Sequence, residues 1–168
     1  MPTRSTTEKA KRDLARGKQP STAAGEFVRE EIEHIRKGKH GARSPQQAIA
    51  IGLSKARRAG VPLKPPRAGR TQPRTRRAAE RDYETGQGRR QPRAPSRRRG
   101  RATEAALRRE PKSTASRTSL ERQGRRSASQ RSATARSQAA KTAARTKGPR
   151  VRSRAAKRAA VTRSRHAR

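Results

Sequence analysis

SPQQAIAIGLSKARRAG, residues 44–60, decides the fold of this 168-residue chain. Ser44 is placed to cap a helix, Pro45 suits the first helical position, and Gln47 stands three residues after the cap. Ile49, Leu53 and Ala56 then recur at helical spacing, Gly60 can end the helix, and Pro62 lies beyond it. Ala48 to Leu53 is the longest apolar run in the chain, and its six residues are far fewer than a membrane span requires.

Working backwards, Ala24, Val28, Ile32 and Ile35, with Phe27 beside them, form the apolar stripe of a helix over about 22–37. Ser21 or Thr22 is its expected cap and Gly38 its end. Its outer face carries Glu26, Glu30 and Glu33, too many acids for a face that lies on nucleic acid. A weaker helix is expected over about 7–16, with Ser5 and Glu8 spaced as a capping box and Leu14 its only large apolar residue. The short connection 38–43 suits two antiparallel helices.

Beyond Pro65-Pro66 the character changes. Residues 66–168 contain Tyr83, Leu107, Leu120, Val151 and Val161 as their only large apolar residues, with no periodic stripe. Such a composition reads as disorder. The expected fold class is therefore all-α: a small helical hairpin of two to three short helices in residues 1–65, followed by a long disordered Arg-rich tail over 66–168. Alanine-rich stretches at 102–109 and 153–163 are expected to become helical only when phosphates screen their charges. With so few large apolar side chains a hairpin alone is marginal, so a homodimer through the hairpin, or folding upon binding, is expected.

Charge points to the partner. The chain has 48 Lys+Arg against 12 Asp+Glu, a net +36. Residues 66–168 hold 33 basic and 6 acidic side chains, a net +27, so three quarters of the excess lies there. Arginine predominates, and its planar guanidinium grips phosphate oxygens in a bidentate fork. At one charge per ~1.7 Å of duplex, +27 neutralises about 46 Å, roughly 13 base pairs. Aromatic platforms for single strands are nearly absent, which weakens a single-strand-specific reading; the expected partner is nucleic acid, DNA over RNA.

The distribution sharpens this. No acid occurs from His34 through Ala79, so the connection, the end of the 44–60 helix and the start of the tail form one basic path. Lys37, Lys39, His40 and Arg43 stand just before a helix N-terminus, whose free amides favour an anion. Lys55, Arg57 and Arg58 follow, then Arg74, Arg76 and Arg77. The cluster Arg97, Arg98, Arg99 and Arg101 completes the candidate nucleic-acid-binding set.

Catalysis has no visible apparatus. No Ser/His/Asp arrangement surrounds His34, His40 or His166, and the 37–43 loop lacks both the Walker spacing and a preceding strand. His34 follows Glu30 by four residues and Glu31 by three, but a second carboxylate-histidine set is missing, so no metal site is assigned. No catalytic residue, cofactor or small-molecule substrate is expected. With no cysteine, disulfides and thiolate metal sites are excluded.

Residues 25–60 resemble a family of small, largely uncharacterised bacterial proteins with the motif Gln-Ala-Ile-Ala-Ile-Gly-Leu-Ser-x-Ala-Arg-Arg-Ala-Gly, here Gln47 to Gly60 with Lys55 at the variable position. Members are often labelled DNA-binding or plasmid-stabilisation proteins. The tail resembles those of linker-histone-like bacterial proteins, with Arg largely replacing Lys. The resemblance implies a DNA-binding role and brings no catalytic residues. The expected function is that of a non-enzymatic, largely sequence-nonspecific, histone-like DNA-binding protein, cytoplasmic and nucleoid-associated, with no membrane association. The alternatives are an RNA- or ribosome-associated basic protein, and a plasmid-maintenance or protein-interaction module.

Overall fold

The structure is a computed structural model that describes residues 2–92, 94 and 96–166. Among them are seven α-helices and one 3-10 turn, with no strand. The helices are α1 (Arg4–Ala15), α2 (Pro20–Arg36), α3 (Pro45–Arg58), α4 (Pro73–Gly86), α5 (Arg97–Arg109), α6 (Arg117–Ser129) and α7 (Ala133–His166). The 3-10 turn is Ser113–Ala115. The all-α class holds, but the hairpin with a disordered tail does not: residues beyond Pro66 form α4 to α7, and part of that region packs against α2 and α3. The chain divides at Gln123, inside α6, into two compact units.

Local chemistry sets the helix ends. Ser44 Oγ accepts the Gln47 amide at 3.2 Å, and Gln47 Oε1 accepts the Arg43 amide at 2.7 Å, so both sides of the α3 start are satisfied. The first helix begins earlier than its Ser5 and Glu8 suggest, because Thr3 caps it by accepting the Thr6 amide at 3.3 Å. For α2, Pro20 occupies the first turn, and Gln19 precedes it without a side-chain cap, in place of Ser21 or Thr22. Gly38 and Gly60 close α2 and α3 with φ of +74° and +89°, a conformation that favours glycine.

The core explains why the expectation of disorder fails. Of eleven buried apolar residues among those described, eight are alanines, and the remainder are Phe27, Ile35 and Val61. Counting large side chains overlooks this, since alanine loses no rotamer freedom on burial and lets helices approach closely. One cluster joins Ala10, Ala23, Ala24, Phe27, Ala56 and Val61 across α1, α2 and α3. A second joins Ile35, Ala42 and Ala48 to Ala115, from the region expected to be disordered. Glycine serves the same end at the α2–α3 crossing, where a Cβ on Gly52 would stand 2.6 Å from Val28 Cα.

Residues 73–87 and 107–115 are fastened by specific bonds. Asp82 of α4 accepts the Ser54 hydroxyl at 2.5 Å, and Gln87 Nε2 donates to the Gly60 carbonyl at 3.2 Å. A Cβ on Gly86 would overlap the Arg57 carbonyl oxygen, so α4 meets α3 backbone to backbone. Further along, Gly41 N–H donates to the Leu107 carbonyl at 2.8 Å and Ala42 N–H to that of Pro111 at 3.1 Å. Arg36 Nε donates to the Ala115 carbonyl at 2.9 Å. These bonds spend cations and amides of the first 65 residues on the chain's own second half.

Within residues 124–168, α7 is interrupted at Gly148, where φ is +65°, followed by Pro149. Val151 and Val161 are about half exposed, so the described part of this helix depends on alanine propensity, not on burial of an apolar stripe. The expected disorder is not found here: α7 is helical on both sides of the break at Gly148.

Gly52→Ala should lower the unfolding free energy by about 2–3 kcal/mol in urea melts, because the new methyl meets backbone that cannot step aside. Gly100→Ala, in open space within α5, should leave stability unchanged or raise it by up to about 1 kcal/mol. Equal effects at the two sites would contradict the close crossing.

Candidate nucleic-acid interface

The basic path read from the sequence does not remain a single path once folded. Three of its members, Lys39, His40 and Arg58, line one open groove of about 900 Å³ together with Arg99 of the later arginine cluster and Gly100, Thr103, Glu104, Leu107 and Arg108. The 38–43 connection supplies one wall, the C-terminal turn of α3 another, and α5 the third. The acid in the groove, Glu104, is bonded to Arg108 at 2.7 Å one helical turn away, so its charge is offset locally. Arg58 Nε lies 3.7 Å from Asp82 while the side chain remains half exposed. The groove is thus cationic and open to solvent.

The other sequence-selected residues are dispersed. Lys37 and Arg43 are exposed at the two ends of the connection, and Arg74, Arg76 and Arg77 are exposed on α4. Arg76 lines a separate depression with Lys64, Arg67 and Arg89, where Glu80 and Glu84 dilute the charge. Arg97, Arg98 and Arg101 are exposed on the first turns of α5, which Ser96 caps by accepting the Arg99 amide at 3.2 Å. Two members are committed internally. Arg57 is buried and donates through Nε to the Leu63 carbonyl at 3.2 Å. Burial lowers its pKa from the ordinary arginine value, opposed by Asp82, yet an arginine stays charged at neutral pH.

Lys55 is the second. Its Nζ is 2.5 Å from Oε2 of Glu31, a carboxylate only 1% exposed, while His40 Nε2 is 3.2 Å from Oε1 of the same group. A buried carboxylate is tolerable only when paired, so Lys55 and His40 compensate Glu31 and join α2, α3 and the connection. His34 is adjacent: its Nε2 is 3.8 Å from Glu30 Oε1, and its ring meets that of His40 edge-on at 6.3 Å. Burial, then the positive charges of Lys39 and Lys55, lower the His34 pKa, with Glu30 and Glu31 opposing. The ring is accordingly neutral at pH 7.

Sequence reasoning missed Arg108 and Thr103 because nothing in their local pattern places α5 against the 38–43 connection. It also missed that His40 belongs with Glu31 and His34, since the three meet only after the connection folds back on α2. No family model, no curated protein and no solved structure matches this chain. No helix of the described residues is long and apolar enough to cross a membrane.

Lys55→Met should cost about 3 kcal/mol of stability by leaving Glu31 buried with one partner fewer. Adding Glu31→Gln to that variant should recover a large part of the loss in a double-mutant cycle. Additive losses would mean that the pair is not coupled.

Proposed function

We propose that the protein is a non-enzymatic, largely sequence-nonspecific DNA-binding protein of the nucleoid-associated, histone-like kind. One observation carries this reading: the groove gathers Lys39, Arg58, Arg99 and Arg108, with His40, from segments up to 69 positions apart in sequence, leaving one acid among them, itself paired. A groove of this kind positions a duplex by its phosphates and carries no base readout of its own. Bulk affinity comes from elsewhere. No acid occurs after Glu121, and residues 122–168 hold 16 Lys+Arg. Neutralisation by these side chains would reduce the repulsion between neighbouring duplex segments, the physical basis for compaction.

The resemblance of Gln47 to Gly60 to the bacterial family often labelled DNA-binding supports the same reading. Within that motif Arg58 faces the groove, whereas Lys55 and Arg57 serve the fold. Part of the motif is therefore structural in this chain, and its DNA contact falls to one residue.

Binding of a 30-base-pair duplex should weaken linearly in log–log form as salt rises. The Lys39→Gln/Arg58→Gln/Arg99→Gln variant should reduce that slope by about 2–3, roughly 0.9 for each phosphate no longer neutralised. An equal removal of charge from α1 and the residue that ends it, Lys9→Gln/Arg12→Gln/Arg16→Gln, should change it less. Equal slopes for the two variants would overturn the groove as the interface, and preferential retention of structured RNA in competition would replace DNA with RNA as the partner.

A further inference from the structure

His40 stands between a backbone carbonyl and a buried carboxylate. Its Nδ1 is 3.0 Å from the Gly41 carbonyl oxygen, and its Nε2 is 3.2 Å from Oε1 of Glu31. With Nδ1–H donating to the carbonyl, Nε2 keeps a lone pair that can ligate a cation beside Glu31.

We infer that Glu31, His34 and His40 form a binding site for a divalent transition-metal ion of the zinc class. Each offers one ligand atom, and the three atoms lie within 4.8 Å of one another. Two imidazoles and one carboxylate make a donor set that suits zinc, with a fourth position left for water. At metal–ligand lengths of about 2.0–2.1 Å, tetrahedral ligands stand roughly 3.3 Å apart, so the set contracts on binding. Two further features favour the ion. The Nδ1–H bond to the Gly41 carbonyl orients His40 as outer-shell bonds orient metal-bound histidines. Glu30, buried beside His34, has one carboxylate oxygen, Oε2, with no hydrogen-bond partner, while its Oε1 accepts the Thr3 amide at 2.8 Å.

Lys55 sets the affinity. Its ammonium holds the far oxygen of Glu31, Oε2, which fixes the carboxylate but places a positive charge near the ion. The ion would take the lone pairs of His34 and His40 and one Glu31 oxygen, and any second proton on His40 would pass to solvent. The consequence is mechanical: the ion pins the 38–43 connection to α2 and adds positive charge beneath the groove wall that Lys39 and His40 form. The site goes beyond the proposed DNA binding, and its test requires no DNA.

Full-length protein stripped with chelator should bind Co²⁺ with one equivalent giving visible d–d bands, and Zn²⁺ should displace it. His34→Asn and His40→Gln should each abolish the bands, and His166→Gln should retain them. In ¹⁵N spectra of the unmutated protein, one equivalent of Zn²⁺ should shift the ring nitrogens of two histidines and leave the third, so the result stands even if a variant unfolds. Absence of bands together with unshifted ring nitrogens would overturn the site. Bands that survive both His34→Asn and His40→Gln would overturn it equally.

Discussion

Two backbone amides, those of Gly41 and Ala42, hold together what the sequence presents as separate halves. They donate to the carbonyls of Leu107 and Pro111, and a side chain on Gly41 would overlap the Glu110 carbonyl oxygen. Once these bonds form, Ala115 enters the cluster of Ile35, Ala42 and Ala48, and Arg36 bonds its carbonyl. The placement of α5 follows, and with it the third wall of the cationic groove. Without them, Lys39 and Arg99 would have no reason to share a surface.

The interior follows an economy of size. A chain with one Phe and no Trp cannot fill space with bulky side chains, so its helices meet over alanines and glycines at distances larger residues would forbid. The cost is that few large apolar groups secure the packing, and buried charge carries part of the specification. Glu31 joins three segments through Lys55 and His40 because a carboxylate in that position must find partners. The same cluster that orders the fold also supplies the donor atoms for an ion.

The sequence carried the all-α class and the start of α3, where Ser44, Pro45 and Gln47 are local signals with a local mechanism. It misplaced the caps of α1 and α2, since Thr3 and Pro20 compete with equally plausible neighbours a few residues away. The order of residues 73–115 was not legible, for a physical reason: backbone-to-backbone bonds and buried alanines have no side-chain signature. The groove was half legible. Charge patterning selected Lys39, His40, Arg58 and Arg99, but it could not distinguish them from Lys55 and Arg57, which folding consumes. Nor could it bring His40 to His34 and Glu31, a juxtaposition made by the turn after Gly38.

Fold and groove alike depend on whether residues 107–115 dock on the 38–43 connection in the full chain. Native-state hydrogen exchange at the Gly41 and Ala42 amides measures this directly. Both amides should exchange far more slowly than free loop amides, and Gly41→Val, which places a side chain against the Glu110 carbonyl, should abolish the protection of Ala42. Exchange of both amides at free-loop rates in the unaltered protein would contradict the docking and the groove built on it.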